Sequence, residues 1–580
     1  MTFMPLRERL AELLRCALQA AQAAGELPPF EIPEPLPVEP ARHAAHGDYG
    51  SPVCLGLARI VRRAPLQIAQ AVIPHLPAAD FVVHAEAVAP GYINFTLSEQ
   101  WLAAQVAEVL AAGEAWGNVD LGKGKRVQVE FVSANPTGPI TIGSARNAVI
   151  GDTVASVLSA AGYQVQREYY VNDAGSKARK LAVSVFNKYA ELLGAPVALN
   201  EETYPGAYIT AMAESLVASA GRRYLEQEPE TALREMMRWA IAQVLVAVEA
   251  DLACLRVHFD TWRHERDFYI PAAAGELSLF EQRLAVLREA GYIIEKDGAT
   301  WFTHPDLDKD AVLIRSAQVI PNPEDRPTYL ASDAAYVWDK LVLRGFDRAI
   351  YVWGADHHGD VPRLFAITKA QGLDPARVEV ILYQMVTLLR GGEEVRMSKS
   401  SGEFVTLRDL VDEVGPDPIR FMMLTRTVDV TLDFDLDLVV EQSDRNPVFY
   451  VQYAHTRIAG VLRKAAELGL AVETQGVNKP GLFTPGDLTL LKHPSELALI
   501  RKLLALPEVI TLAAGAVAPH HLTLYATELG ALFHAFYRDC RIADPDNLPL
   551  TYARLTLARA AKSVLARVLH LMGMDAPDRM

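Results

Sequence analysis

The chain reads as a helix-rich α/β protein of several domains built around a doubly wound parallel sheet, and three observations predict this. The run Arg126-Val-Gln-Val-Glu-Phe-Val132 alternates polar and apolar residues and is rich in β-branched ones, the mark of a strand. A turn dense in Pro, Gly and Asn follows (Ser133 to Pro139), then helical spacing from Ile142 to Ala161, then a second strand pattern from Gln164 to Val171. Strand, turn, helix and strand in about 45 residues make a βαβ unit, the building block of a parallel sheet. Finally, 580 residues are too many for one core and imply about three or four domains.

The other elements follow in order. Leu6 to Ala24 forms an amphipathic helix carrying Arg7, Glu8, Arg9, Glu12 and Arg15, unlike the purely apolar middle of an export signal. Pro28 to Pro40 excludes helix. Helical spacing from Val53 to Leu76 and alternation over Phe81–Val88 and Tyr92–Leu97 complete a small α+β domain, placed at residues 1–118. The segment Lys177 to Leu255 is helical with a break at Tyr204-Pro205-Gly206. A second strong strand, Asp347 to Trp353, precedes a helix from Pro362 to Gln371. The central domain spans 119–443, and from about Asp444 to Met580 the pattern is all-α, giving a third domain at 444–580.

Composition excludes several classes. Half the residues are apolar and 22% are charged, as in folded soluble proteins. No segment has the ~18–20 uninterrupted apolar residues of a membrane span, since Leu503–Val517 is broken by Pro507 and Glu508. Cys16, Cys54, Cys254 and Cys540 lie far apart with no Cys-x-x-Cys pair, which argues against a zinc knuckle or a disulfide framework and for a reducing compartment. The net charge of −15 argues mildly against nucleic-acid binding. Phosphate contacts depend on local patches, however, and Lys492, Arg501, Lys502, Arg554, Arg559, Lys562 and Arg567 gather late in the chain. Taken singly, those clusters read better as solvated helix faces.

Ligands of open α/β sheets bind at the carboxyl ends of strands, where helix N-termini present free N–H groups. Glu130 and Asn135 lie at such an end and could meet a cationic ligand. On these residues alone, the simpler account is that Pro136, Gly138 and Pro139 shape a turn and Glu130 pairs with a basic neighbour. Asp356, His357 and His358, between Gly354 and Gly359, end the second strand. Adjacent histidines do not easily face one metal ion and no third ligand is evident, so a nucleotide-facing loop is the better reading. Arg396-Met397-Ser398-Lys399-Ser400 mixes cations and hydroxyls and suits a triphosphate, with Lys399 placed to offset charge on a leaving pyrophosphate. A basic surface loop fits those letters equally well.

Those five residues resemble the signature loop of class I aminoacyl-tRNA synthetases. Val129 to Pro139 is similar to the first block of the arginyl-tRNA synthetase family in particular. So, in order, are Arg167 to Gly175, Tyr329 to Tyr336, Trp353 to Gly359 and Asn446 to His455. His46-Gly-Asp-Tyr49, Pro90 to Phe95 and the closing Ala576-Pro-Asp-Arg-Met580 also match, so the resemblance spans nearly the whole chain. It implies a Rossmann-type catalytic domain, an additional N-terminal domain that touches tRNA, and a C-terminal bundle that binds the anticodon. It also implies a monomeric cytoplasmic enzyme that uses L-arginine, tRNA(Arg) and ATP with Mg2+, without a resident metal or membrane contact.

The same resemblance implies residue roles. Glu130, Tyr329 and Asp333 would hold the arginine side chain, with Ser133 and Asn135 at its α-amino group. Gly143, Gly354, Asp356, His357, His358, Met397, Ser398 and Lys399 would bind ATP. Lys399, Arg396, Thr141 and Ser144 would stabilise the transferring phosphate, and Asn94, Tyr450, Tyr453 and Arg457 would touch tRNA. Two departures stand out. Thr141-Ile-Gly-Ser144 replaces the usual His-x-Gly-His, and Lys177 stands where the family commonly has Gln. Retention of the arginine residues together with the signature loop favours an active variant in which hydroxyls, a helix N-terminus, Lys399 and Lys177 do the work. The alternative is a catalytically weakened paralogue that binds tRNA without efficient charging.

Overall fold

A computed structural model describes residues 2–41, 43–196, 199, 202–320, 326–395, 405–470 and 487–580. The predicted βαβ unit is present as β1 (Arg126–Glu130), α1 (Ile142–Ala160) and β2 (Gln164–Val171). Helix α2 (Ser176–Leu192) follows, and β3 (Thr261–His264) comes after two further helices, Ala207–Ala220 and Pro229–Cys254. Helix α3 (Tyr329–Trp338) runs into a π-helical turn, Asp339–Leu343, and then come β4 (Arg348–Gly354), α4 (Val361–Ala370) and β5 (Val378–Tyr383). The five strands pair in the order β5-β4-β1-β2-β3, all parallel. Strand order reverses between β1 and β4, so the crevice at their carboxyl ends is the topological switch point.

Alternation along β1 explains how the sheet is covered. Val127 and Val129 enter a large core that continues into the N-terminal domain and the C-terminal helices. Gln128 and Glu130 face the other side, where Tyr170, Phe268, Tyr336 and Tyr351 build a second core under α3. Close approach is needed at Gly151 on α1, because a Cβ there would lie 2.2 Å from the Phe131 ring.

The N-terminal region is α+β: helix Leu6–Ala23 and a four-stranded antiparallel sheet containing Val82–Val88 and Tyr92–Leu97. It docks on the C-terminal helices through Tyr49 Oη donating to Glu508 (3.0 Å) and Trp116 Nε1 donating to the Leu503 carbonyl (2.9 Å). Those helices include α5 (Pro447–Glu467) and α6 (His520–Asp539). Two small sheets went unforeseen: antiparallel Ile293–Lys296, Ala299–Phe302 and Ala311–Ile314, and Val386–Arg390 with Glu393–Glu394 and Leu432–Asp435. No helix among the described residues is long and apolar enough to cross a membrane, and all four cysteines are free.

Candidate active site

The crevice floor is set by Asn147, one turn into α1. Its Oδ1 accepts from Val132 N (2.6 Å) beyond β1, and its Nδ2 donates to the Val352 carbonyl (2.9 Å) of β4. The chain leaves β1 with Val132 at φ 64° and Ser133 at φ 40°, left-handed values that cost about 1–3 kcal/mol for a non-glycine residue. The Asn147 bond holds this bend, as does Ser133 Oγ, which accepts from Tyr170 N (3.1 Å) and donates to Glu130 (3.3 Å). Asn135, next along the turn, has a buried Oδ1 without a hydrogen-bond partner among the described residues.

Thr141 is the N-cap residue of α1, yet its hydroxyl makes no capping bond. Its hydroxyl stands at the helix N-terminus, where Ser144 N donates to the Thr141 carbonyl (3.0 Å). Gly143 lies between them, and Tyr383 Oη donates to its carbonyl (3.4 Å). Thr141 also pairs with Thr406, and Leu407 N donates to the Ile140 carbonyl (2.9 Å). The chain after the signature loop therefore returns beside the start of α1. Arg396, Met397, Ser398 and Lys399 themselves lie outside the described residues.

Four carboxylates crowd the sheet face under α3, and they fall into two kinds. Glu130 and Glu168 stand opposite each other on β1 and β2. Glu168 accepts from Tyr336 Oη (2.5 Å) and from both terminal nitrogens of Arg344, one at 2.8 Å. Its pKa ends below the usual range: burial pushes it up, but Arg344 and Lys340 together pull it further down. Glu130 Oε2 is 2.5 Å from Lys340 Nζ, which is fully buried. Glu130 thus has a basic neighbour, as the simpler account of its place in the turn expects.

Glu265 and Asp333 have no such partner. Glu265 follows β3 and is 5% exposed. Its Oε1 accepts from Ser332 Oγ, and its Oε2 has no hydrogen-bond partner among the described residues. Burial, aided by Asp173, pushes its pKa up to about 7. Asp333 is raised well above the ordinary carboxylate range by burial and then by Glu130 and Glu265. Neither makes an ion pair among the described residues. A buried carboxylate and a partly buried one beside it, both held toward their protonated forms, would be relieved by a cation. Glu265 also lines a cavity of about 160 Å³ with Gly175, Lys177, Tyr269, Arg315 and Tyr329. Tyr329 and Asp333 lie on α3 at i, i+4 as expected, Tyr329 half-exposed at the rim with Lys177 Nζ 5.6 Å from its ring centroid.

The end of β4 differs from expectation. Residues 354–359 are not an open loop, since Ala355–Asp360 form a 3-10 helix after Gly354. Asp356, His357 and His358 are exposed on it, and His357 Nδ1 lies 3.1 Å from Asp360. On α5, Tyr453 stacks on Phe449 (centroids 5.6 Å apart), and Arg457 donates to Tyr453 Oη (2.9 Å) and lies over the Tyr453 and Tyr537 rings. Tyr450 meets His534 edge-on at 5.1 Å. Asn94 does not join an open surface: it is 6% exposed and packs against Gly50, while Tyr92, on the same strand face, is 38% exposed. Sequence reasoning missed Glu265, Lys340 and Asn147, each identified by its partners in space.

A parallel sheet of this order with a helix N-terminus at its switch point is a doubly wound nucleotide-binding architecture, the kind that class I aminoacyl-tRNA synthetases are built on. The family model described as the class I (R) tRNA synthetase catalytic domain matches residues 105–459. An arginyl tRNA synthetase N-terminal domain matches 8–97 and a DALR anticodon binding domain matches 451–580. The chain belongs to the arginyl-tRNA synthetase family. It is 40% identical over 581 residues to an arginine–tRNA ligase of Dehalococcoides mccartyi (100% of both chains) and 43% identical over 577 residues to one of Heliobacterium modesticaldum (99% of both). Among solved structures, it resembles a putative arginyl-tRNA synthetase from Campylobacter jejuni with a TM-score of 0.70, 31% identity and coverage of 83% of this chain and 100% of that one. It shares the fold of Thermus thermophilus arginyl-tRNA synthetase, with a TM-score of 0.73, 23% identity and coverage of 99% and 100%.

Proposed function

We propose that the chain is an arginine–tRNA ligase whose guanidinium site is the Glu265–Asp333 pair. The observation that carries the site assignment is that Glu265 lines the cavity, its charge acts on Asp333, and neither carboxylate makes an ion pair among the described residues. A guanidinium presents five donors in a plane and can bridge two carboxylates, relieving their repulsion, whereas a lysine ammonium is a compact point charge. Asn135 Oδ1 and Ser133 then meet the α-amino group, and Tyr329 covers the side chain at the cavity rim.

ATP lies across the switch point, with the ribose and base against Gly143, Gly354 and the Asp356–His358 turn. Its α-phosphate is at the start of α1, where Thr141 and Ser144 each offer a hydroxyl. Magnesium accompanies the triphosphate as part of the substrate. The arginine carboxylate attacks the α-phosphorus, and the bond to the bridging oxygen breaks. Pyrophosphate departs with its charge offset by Lys399 and Arg396, while Met397 and Ser398 complete the loop. A terminal ribose hydroxyl of tRNA(Arg) then attacks the adenylate carbonyl and AMP leaves. Positioning and electrostatics suffice, without an enzyme nucleophile. Tyr450, Tyr453 and Arg457 form a platform on which unpaired bases can stack. This reading divides the chain at 1–118, 119–443 and 444–580 and places it in the cytoplasm as a monomer.

The test is charging of total tRNA with each of the twenty amino acids, alongside arginine- and tRNA-dependent ATP–pyrophosphate exchange. Arginine alone should be charged, and Asp333→Asn should abolish its selective use. Exchange absent at high enzyme concentration would refute ligase activity.

A further inference from the structure

Glu265 and Tyr269 are the first and last residues of one 3-10 helix, Glu265–Tyr269, and both line the cavity. Ser332 of α3, 1% exposed, joins their polar ends: its Oγ lies 2.8 Å from Tyr269 Oη and donates to Glu265 Oε1. Packing of the Tyr269 ring on Phe280, with centroids 5.2 Å apart, holds the phenol in place. The direction of this chain follows from what each group can do. An ionised carboxylate only accepts, so Ser332 gives its hydroxyl proton to the Glu265 that a guanidinium requires. Tyr269 Oη then donates to Ser332. Burial, followed by the Glu265 charge, pushes the Tyr269 phenol up, so it has the proton to give. Both hydroxyl protons are thereby committed within the wall. Glu265 Oε2, which has no hydrogen-bond partner among the described residues, is left as an acceptor.

We propose that Ser332 is a positioning residue that sets specificity: by committing the Tyr269 proton to the chain that ends at Glu265, it leaves this side of the pocket with acceptors only. The inference rests on the assignment of Glu265 and Asp333 to the guanidinium. A guanidinium has five donors and no acceptor, so such a wall suits it. Citrulline, the urea isostere of arginine, has nearly the same shape but carries a carbonyl oxygen in place of one nitrogen. Bound in the same way, that oxygen meets lone pairs and goes unpaired. Without the Ser332 hydroxyl, the Tyr269 O–H is free to turn and donate to it. Loss of charge penalises citrulline in every variant, so the change in discrimination is what reports on Ser332.

The test uses the full-length chain with tRNA, measuring arginine-dependent pyrophosphate exchange with citrulline as competitor, and reads the ratio of citrulline Ki to arginine KM. Wild-type enzyme must first use arginine; if it does not, the functional reading fails and not this one. Ser332→Ala should lower the ratio at least about tenfold, because a buried acceptor gains a donor. Ser332→Ala/Tyr269→Phe also removes the freed proton, so its ratio should return to within about threefold of wild type. A merely structural loss would not be reversed by the second substitution. A Ser332→Ala enzyme that uses arginine with an unchanged ratio overturns the proposal, as does a double variant that keeps the lowered one. Absence of citrulline inhibition in both wild type and Ser332→Ala counts as an unchanged ratio. If Ser332→Ala does not fold, Ser332→Cys, whose thiol is a weak donor and acceptor, decides: a fall of at least about threefold supports the proposal, and no change overturns it.

Discussion

Glu168 and Asp333 lie in one carboxylate cluster and behave as opposites. Glu168 has Arg344 and Tyr336 on its oxygens and a lowered pKa, whereas Asp333 has no ion-pair partner among the described residues and a raised one. A carboxylate with its own cation belongs to the architecture. One without a counter-charge tends to keep its proton, and a cation would favour its ionised form. Pairing, more than burial or position, separates scaffold from site.

The largest test of this contrast is Glu168→Ala. Breaking this pair leaves Arg344 only Asp339 as a counter-charge and strips Tyr336 Oη of its acceptor, so the variant should be destabilised by about 3 kcal/mol, read as a lowered thermal midpoint. Next, Asp333→Asn should reduce arginine kcat/KM roughly a hundred- to thousandfold, about 3–4 kcal/mol, while the thermal midpoint stays level or rises. A fall in midpoint matching that of Glu168→Ala would erase the distinction.

The pH dependence sharpens it further. Glu265 is held near pKa 7 in the fold against about 4.5 when unfolded, so the folded chain binds the extra proton between those values. Its contribution to stability is full below about pH 4.5 and is lost as pH rises through about 7. The cation site, by contrast, needs the ionised form. The ligand-free thermal midpoint should therefore fall across this window, while stabilisation by added arginine grows. A ligand-free midpoint that rises through this window in wild type and is unchanged in Glu265→Gln would contradict the assignment. The smallest expected effect is that of Thr141→His/Ser144→His. Because each hydroxyl already supplies a donor beside a helix N-terminus, kcat for exchange should change by less than about tenfold, or ~1.4 kcal/mol.

Much of the fold was legible because its signals are local. Alternation in Arg126–Val132 separated the two faces of β1, and Tyr204-Pro205-Gly206 marked the break before the helix Ala207–Ala220. The strands between Ile293 and Ile314 were missed because they are short, and in the first of them three of four residues are exposed, leaving no apolar period to read. The site was legible only in part. Asp333 and Tyr329 stood out by resemblance. Glu265, however, sits in His264-Glu265-Arg266-Asp267, a charged run that reads as solvated surface until packing buries it. Lys340 meets Glu130 from 210 positions away along the chain, a pairing that no local pattern carries.

Asn147 has one more implication. A single carboxamide spans the gap between two backbones, so the width of the crevice there is gauged by the length of one side chain rather than by the loops around it. The residues around it, Thr141 and Ser144 among them, can then change their chemistry without altering the spacing of the two strand ends.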